Sequence, residues 1–313
     1  MNAIPSKIKE QLTKVIIGKD ELIGMTLAAI FAGGHVLLED VPGTGKTTLA
    51  LGISRSLGLD FRRIQLTPDT VASDITGYSA FDSGKQEFIY HPGAAMTNLL
   101  LADELNRTSG KTQAALLEAM EEGRMTVDGI TYDLPRPFNV IATQNPSGTA
   151  GTSAIPLSQL DRFMVRLRAG SPDRAALKRI LSDRSTGDPL DSVECVCTAE
   201  QLSEIVRECS LVKVSGEIYD YVCDLVQAAQ DDERIDGVIS PRGALALCRL
   251  AKAAAYLADR DYVVPMDIRS CFEPVCAHRI VLTRETRASG KSAENILHEI
   301  VEKVPCPENG GKK

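Results

Sequence analysis

The chain has 313 residues and a mass of 33.8 kDa, a length that predicts about two domains. Hydrophobic residues make up 43%, charged residues 25%, and the mean hydropathy is -0.06, which excludes a collagen-like, disordered or membrane-spanning chain. The net charge of -7 gives no global electrostatic support to a protein that coats duplex nucleic acid.

The first twenty residues carry charges throughout and lack the apolar core of a signal peptide, so we expect a cytoplasmic protein. Residues 22–38 are too few and too polar for a membrane span, and they predict a helix followed by a buried strand. All eight cysteines lie after residue 194 without a CxxC pair, and we expect reduced thiols. Ligand spacing is poor among the four candidates for a metal site, so we expect none there: Cys271, Cys276, His278 and His298.

From about residue 20 to residue 168, apolar runs of strand length alternate with helical patterns. This alternation predicts a parallel sheet with crossover helices. The five predicted strands cover residues 35–39, 61–66, 98–103, 138–143 and 164–168.

Two predicted β-hairpins interrupt the alternation. The first covers residues 78–90 around a Ser83-Gly84 turn. The second covers residues 124–134 around Asp128-Gly129, a dipeptide suited to a type I′ turn.

After Pro172 the strand signals fade, and residues 172–303 predict successive helices. Helix starts are indicated at Pro172, at the capping box that begins with Thr198, and at Ser240-Pro241. We therefore expect one domain at residues 1–170, a helical domain at residues 171–304, and a disordered tail at residues 305–313.

Residues 41–48 read Val-Pro-Gly-Thr-Gly-Lys-Thr-Thr and lie between an apolar strand and a helical pattern. In that context the sequence is typical of a phosphate-binding loop. Two glycines let backbone N–H groups turn toward a β-phosphate, the lysine reaches the β and γ oxygens, and the first threonine hydroxyl can bind Mg²⁺. The predicted nucleotide-binding residues here are Pro42, Gly43, Thr44, Gly45, Lys46, Thr47 and Thr48, with Thr47 also a metal ligand.

One position departs from the complete motif, which has glycine where this chain has Asp40. That position is the farthest from the phosphates, so we expect phosphate binding to be retained. The alternative, a glycine-rich turn before a helix, does not explain the Lys-Thr pair at the helix start.

The apolar run at residues 98–103 ends in two carboxylates, Asp103 and Glu104. Asp103 is predicted to hold Mg²⁺ through its water, and Glu104 to polarise the water that attacks the γ-phosphorus. A small-molecule kinase has no need of the second acid because its acceptor is a substrate hydroxyl. The pair therefore favours hydrolysis over the alternative of two surface acids.

Together with these motifs, residues 101–107 (LADELNR) and 111–120 (KTQAALLEAM) make the chain resemble the AAA+ ATPases and, among them, the MoxR group. The resemblance extends from residue 15 to about residue 304. It implies an α/β P-loop NTPase module with a five-stranded parallel central sheet, two β-hairpin insertions and a C-terminal all-α lid domain. It also implies a hexameric ring with ATP and Mg²⁺ bound between neighbouring subunits.

The resemblance assigns further roles by position. Asn145 matches sensor 1, whose amide would hold the attacking water or the γ-phosphate; a turn residue before a proline is the alternative. Arg162 matches the arginine finger that enters the next subunit's site, with an intrachain ion pair as the alternative. Arg242 matches sensor 2 on the lid, with a solvated surface arginine as the alternative. Ile17 and Gly18 resemble the segment that lies against adenine, and the hairpins resemble the helix 2 insert and the pre-sensor 1 hairpin.

The leading functional interpretation is an ATP-hydrolysing chaperone or remodelling motor. The resemblance implies protein clients, often proteins with von Willebrand A domains, and a role in complex assembly or cofactor insertion. One alternative is a hairpin-bearing DNA motor, which 14 aromatic residues without tryptophan and the acidic charge disfavour. Another is a nucleotide-gated scaffold, which the full set of catalytic residues disfavours. Gln65 is expected to be an ordinary strand-end residue rather than a polar switch acting on Glu104.

Overall fold

The computed structural model describes residues 4–39, 44–145, 151–183 and 187–307. Two of the predicted nucleotide-binding residues, Pro42 and Gly43, lie outside this part of the chain, and so does Asp40. Residues 308–313 of the predicted tail also lie outside it, while residues 305–307 follow the last helix without helix or strand.

The described residues form nine strands and thirteen α-helices. The strands are β1 (Val36–Glu39), β2 (Phe61–Gln65), β3 (Gly77–Asp82), β4 (Glu87–Pro92), β5 (Leu99–Asp103), β6 (Arg124–Val127), β7 (Ile130–Asp133), β8 (Asn139–Gln144) and β9 (Val165–Leu167). The helices are α1 (Ile4–Val15), α2 (Asp20–Phe31), α3 (Lys46–Ser56), α4 (Ala72–Thr76), α5 (Gly110–Glu122), α6 (Leu157–Leu160), α7 (Arg174–Asp183), α8 (Ala199–Ser210), α9 (Gly216–Gln230), α10 (Pro241–Leu257), α11 (Pro265–Cys276), α12 (Arg284–Ala288) and α13 (Ala293–Lys303).

The central sheet is parallel and has five strands in the order β2-β5-β8-β1-β9. These are the five strands predicted from the sequence, each within one residue at either end. Strands β1 and β8 are buried along their whole length, whereas the edge strand β2 exposes Arg62 and Arg63. Strands that are covered on both faces have few polar residues, and this made β1 and β8 recognisable in the sequence.

Both hairpins form where they were predicted. β3 pairs with β4 and β6 with β7, each antiparallel. Asp128 and Gly129 have φ angles of 51° and 81°, the left-handed backbone that a type I′ turn requires. The rings of Tyr90 and Tyr132 stack with centroids 3.9 Å apart, so each hairpin supports the other.

The helical part of the chain packs directly on the helices that precede the sheet. Ile23 and Phe31 of α2 belong to the same buried cluster as Leu247 and Leu250 of α10. The predicted caps at Thr198 and Ser240 are confirmed, because both side chains accept a backbone N–H of their helix. The first helix after Pro172 is α7, and it starts two residues later than expected. The carboxylate of Asp173 caps it by accepting from the Ala176 N–H at 2.7 Å.

All eight cysteines are free thiols, and five of them lie in α8, α9, α10 and α11. In the part of the chain that the structure describes, no cluster of three or more His, Cys, Asp or Glu side chains could hold a metal ion. No helix within the described ranges is both long enough and apolar enough to cross a membrane.

His35, just before β1, makes folding stability pH-dependent. Its buried ring accepts from the Val140 N–H at 3.0 Å and contacts the Met120 carbonyl oxygen at 3.1 Å. Burial lowers the pKa of His35 from 6.5 to about 4. Below pH 6.5, His35 is protonated in the unfolded chain but stays neutral in the folded chain until the pH nears 4. Stability that is present at pH 7 is therefore lost as the pH falls.

We expect the free energy of unfolding to fall by about 1.4 kcal/mol per pH unit from this residue alone, until the pH reaches the folded pKa. Burial also holds the pKa of His278 well below its usual value, which adds a contribution of the same sign. Denaturant unfolding at pH 7 and pH 5 measures the slope. His35→Gln, whose amide can make both contacts, should reduce this slope, and exposed His91→Gln should not; equal slopes for the wild type and both variants would contradict this origin.

Candidate active site

Thr44 and Gly45, in the described part of the predicted phosphate-binding loop, lie beside a cavity at the carboxyl edge of the sheet, where the parallel strands end. Gly45 has φ 89° and precedes α3, which begins at Lys46; that backbone region favours glycine. A cavity of about 170 Å³ opens next to it, with apolar walls from Val15 and Ile16 and from the helix α7. Four predicted nucleotide-binding residues line this cavity: Ile17, Thr44, Gly45 and Thr48.

Gly18 and Lys19 connect this loop to the start of the helical region. Gly18 has φ 72°, and a Cβ there would lie 2.9 Å from the Ala176 Cβ of α7. The Lys19 ammonium donates to the carbonyl oxygens of Thr44 at 3.0 Å and Gly170 at 2.8 Å. Lys19 could not be predicted from the sequence, since its contacts join segments far apart in the chain.

Asp103 ends β5 with both carboxylate oxygens engaged. The Thr143 hydroxyl donates to its Oδ1 at 2.6 Å, and the Arg63 guanidinium donates to its Oδ2 at 2.7 Å. Thr143 also accepts from the Glu104 N–H at 2.8 Å. One hydroxyl on β8 therefore fixes the relative placement of the two acids, and a cation already occupies one oxygen of Asp103.

Glu104 follows in a strained conformation, with φ 60° and ψ 47°; non-glycine residues in that region are often found at functional sites. Its carboxylate accepts from Gln65 Nε2 at 2.9 Å, from Arg107 Nη1 at 2.8 Å and from Asn145 Nδ2 at 3.3 Å. The Arg107 hydrogen bond, ahead of those from Asn145 and Gln65, holds the pKa of Glu104 below its usual value. The carboxylate is therefore ionised at neutral pH.

Asn145 follows β8 and is held by a reciprocal pair of hydrogen bonds. The Asn145 N–H donates to Asn106 Oδ1 at 3.2 Å, and Asn106 Nδ2 donates to the Asn145 carbonyl at 3.0 Å. This leaves the Asn145 amide directed at Glu104. Asn106 lies in the motif at residues 101–107, but this contact could not be predicted from the motif.

Arg162 lies at the opposite edge of the sheet from the phosphate-binding loop. It precedes β9, which runs parallel to β1, and the Met164 N–H donates to the His35 carbonyl just before β1 at 2.9 Å. Since α3 follows the other end of β1, Arg162 lies away from the predicted phosphate-binding residues of its own chain.

Arg242 lies near Arg162 at this edge, where the strands β1 and β9 begin and which we call the amino edge. Glu121, at the end of α5, pairs through Oε2 with Arg162 Nη2 at 3.2 Å and through Oε1 with Arg242 Nη2. A cavity of about 620 Å³ borders Glu121 and Arg162. The buried Arg162 Nε and Gln159 Oε1 have no hydrogen-bond partner among the residues that the structure describes, so two polar atoms beside the cavity are not satisfied there.

The structure thus divides the predicted residues between two edges. At the carboxyl edge, Asp103, Glu104 and Asn145 form one hydrogen-bonded network through Thr143 and each other, and α3 starts there with half-buried Lys46, Thr47 and Thr48. At the amino edge lie the two arginines. Both are ion-paired within the chain, as the alternative for Arg162 proposed, while Arg242 remains half exposed.

Comparison with known proteins agrees with this architecture. Residues 35–165 match the family described as "ATPase family associated with various cellular activities (AAA)", and residues 227–300 match the AAA lid domain. A crystal structure of a protein from Cytophaga hutchinsonii, assigned as an ATPase, superimposes with a TM-score of 0.89 at 35% identity, covering 97% of this chain and 94% of that one.

Two curated relatives match over most of their length. Uncharacterized protein YeaC of Bacillus subtilis is 43% identical over 98% of this chain and 96% of its own. Chaperone MoxR1 of Mycobacterium tuberculosis is 34% identical over 95% of this chain and 81% of its own. The fold and the site define an AAA+ ATPase, an enzyme that binds and hydrolyses ATP. Within that class the chain belongs to the MoxR family, so the resemblance seen in the sequence is confirmed.

Proposed function

We propose that this ATPase is a ring-forming remodelling motor, hexameric as its resemblance implies, whose ATP sites lie between neighbouring copies. The observation that carries this proposal is the position of Arg162 and Arg242 at the edge opposite Gly45. Two guanidinium groups held by one glutamate, one of them bordering a large cavity, suit a phosphate chain. Because their own phosphate-binding loop lies at the far edge, the phosphates would belong to a second copy.

Within one copy, the carboxyl edge would bind and activate the nucleotide. Lys46 and the N–H groups at the start of α3 would hold the phosphates. The cavity beside Ile17 would take the adenine, with the apolar side chains of Val15 and Ile16 as its wall. Glu104 would accept a proton from the attacking water, and the Asn145 amide would orient that water.

Thr47 and Asp103 fit a divalent cation. Hydroxyl and carboxylate oxygens are the ligands that Mg²⁺ takes, and Asp103 Oδ2 already holds a guanidinium in this structure. When bound, Mg²⁺ supplies charge neutralisation at the phosphates. The residues of the chain would position it: Thr47 at the first turn of α3, and Asp103 with its other oxygen fixed by the Thr143 hydroxyl.

Arg63 would compete with Mg²⁺ for Asp103. The ion pair is partly exposed, with an Nη2 to Oδ2 distance of 2.7 Å, so its removal is worth at most about 1 kcal/mol. We expect Arg63→Ala to lower the Mg²⁺ concentration at half-maximal ATPase rate by about two- to fivefold. Arg62→Ala, on the same strand but bonded to the Gly93 carbonyl, is the matched control. An unchanged or higher Mg²⁺ requirement in Arg63→Ala would contradict the competition.

Mixing two inactive variants tests the shared site. Arg162→Ala keeps an intact phosphate-binding loop, and Lys46→Ala keeps intact arginines. If the site is shared, rings that contain both variants should recover ATPase activity. Recovery occurs at interfaces where the intact loop of an Arg162→Ala subunit faces the intact arginines of a Lys46→Ala subunit. Mixed rings are verified by co-purification of two different affinity tags, and no recovery at any mixing ratio in such rings would reject the shared site.

The first hairpin offers a surface for protein clients. Tyr78, Phe81 and Phe88 are exposed, Phe88 by 73%, and the two phenylalanine rings pack edge to face across the strands. The hairpin carries a single lysine beside Asp82 and Glu87, which suits apolar polypeptide better than a phosphate backbone. The name of the relative Chaperone MoxR1 also supports protein clients, and von Willebrand A domain proteins are the class that the family resemblance implies.

Affinity capture with Glu104→Gln in the presence of ATP tests the client. A stalled ring should retain client proteins that the wild type releases, and Phe81→Ser/Phe88→Ser in the same background should lose them. ATPase activity that is stimulated by DNA at low salt, with no protein retained, would instead indicate the DNA motor.

A further inference from the structure

Arg279 follows the end of α11 in the helical part of the chain, and its side chain is 3% exposed. A guanidinium has five N–H donors in a rigid fork, and here most of them reach the loop that carries Arg162. We propose that Arg279 is a positioning residue that sets the geometry of the two arginines supplied to the neighbouring copy. This inference rests on the shared site proposed above.

Arg279 binds residues on both sides of Arg162 in the sequence. Its Nε donates to Asp161 Oδ1 at 2.7 Å, and its Nη2 donates to the Asp161 carbonyl at 3.1 Å. Nη2 also donates to the Phe163 carbonyl at 2.8 Å, and Nη1 to the Met164 carbonyl at 3.2 Å. The backbone on both sides of Arg162 is therefore fixed by one side chain from the helical region.

The same cluster reaches Arg242 through Asp161. The Ser240 hydroxyl donates to Asp161 Oδ2 at 3.3 Å and accepts from the Gly243 N–H at 3.2 Å as the cap of α10. Arg242 lies in the first turn of that helix. A Cβ on Gly243 would lie 2.9 Å from the Arg279 Cδ, so the helix start packs tightly on the Arg279 side chain.

The energetics favour a role in placement. A buried guanidinium is costly unless it is paired and hydrogen-bonded, and an apolar side chain of similar volume often stabilises as well. Arg279 provides what an apolar side chain cannot: directed bonds to a charged oxygen and three backbone carbonyls of one loop. A misplacement of about 1 Å in a catalytic group can cost about 100-fold in rate, so rigid placement of Arg162 has a direct effect on turnover.

Arg279→Lys keeps the charge but has one nitrogen, which cannot reach all four oxygens. We expect its kcat to fall about 10- to 100-fold, with KM for ATP changed less than about threefold because the binding loop is untouched. Arg269→Lys is the matched control: this arginine of α11 donates to the Val301 carbonyl at 3.2 Å and pairs with Glu302, contacts confined to helices of the same region. Its turnover should remain near that of the wild type.

Mixed rings separate positioning from general destabilisation. Arg279→Lys subunits have an intact phosphate-binding loop, so adding Lys46→Ala subunits should restore activity, at about one interface in four for equal random mixing. Mixtures of Arg279→Lys with Arg162→Ala should restore none, because both lack the same half of the site. If Arg279→Lys does not fold, Asp161→Asn replaces it in the same mixtures.

The mixture of Arg162→Ala with Lys46→Ala keeps the two proposals distinguishable. If it recovers activity while Arg279→Lys with Lys46→Ala does not, Arg279 is a structural residue and this inference is overturned, but the shared site stands. If neither mixture recovers, the shared site is rejected and the inference with it. Wild-type turnover in Arg279→Lys would also overturn the inference.

Discussion

Glu104→Gln is expected to bind ATP as tightly as the wild type and to lose about 10²- to 10⁴-fold in turnover, the usual contribution of a general base. Glutamine keeps the volume, and its carbonyl oxygen can still accept from Arg107 or Asn145, so the network around it is preserved. What it loses is the ability to take a proton from water. Fluorescent-nucleotide binding and phosphate release measure the two effects separately.

The contacts of Glu104 also determine its pH dependence. Hydrogen bonding by Arg107, with smaller contributions from Asn145 and Gln65, lowers the pKa of Glu104 from 4.5, so the base form persists as the pH falls. We therefore expect no loss of kcat/KM from Glu104 protonation between pH 8 and about pH 5. Arg107→Ala removes the largest cause of the lowered pKa of Glu104. The fall of kcat/KM on the acidic side of the pH profile should therefore move to higher pH in this variant.

Glu10→Gln is the matched control, since Glu10 is an exposed glutamate of α1 and its substitution changes charge in the same way. Its turnover should equal that of the wild type. A hydrolysis rate in Glu104→Gln within twofold of the control would remove Glu104 from the role of base.

The sheet and its carboxyl-edge residues could be predicted because each is marked locally. Buried parallel strands give continuous apolar runs, and Asp103, Glu104 and Asn145 come directly after such runs. Carboxyl ends of parallel strands share one edge, so the sequence alone was enough to expect these three side chains together. Their hydrogen bonds confirm that proximity.

The supporting residues could not be predicted, because their contacts depend on which strands are neighbours. Thr143 reaches Asp103 across the β5–β8 pair, and Arg63 reaches it across the β2–β5 pair. Gln65 was expected to be an ordinary strand-end residue. The register places it opposite Asp103, with its amide 2.9 Å from Glu104, and no motif in the sequence states that register.

The amino edge was still less predictable. Helix α5 carries Glu118, Glu121 and Glu122, and nothing in its sequence distinguishes the one that pairs with two arginines. That choice depends on how α10 and the loop before β9 pack near the end of α5. The same packing brings Arg279 into hydrogen-bond contact with the loop, whereas its local sequence is that of an ordinary helix end.

Arg162→Ala is expected to lose about 10³-fold in turnover, the lower end of the effect of an arginine supplied in trans, while its own ATP binding is unchanged. The reason is spatial: Arg162 lies at the edge of the sheet away from Gly45, so only a neighbour's nucleotide can lose its contact. In the wild type the same geometry predicts specific activity that rises with protein concentration until assembly is complete.

Arg207→Ala is the control for Arg162→Ala, because Arg207 is also paired with a glutamate but lies exposed on α8. Arg242→Ala should lose less than Arg162→Ala, and the double variant should lose less than the product of the two losses, since Glu121 holds both guanidinium groups as one unit. Two results together would place the whole reaction within a single copy. Wild-type turnover would be independent of protein concentration, and Arg162→Ala would be as active as Arg207→Ala. The ion pairs with Glu121 would then be structural contacts, and the assembled ring would have no part in hydrolysis.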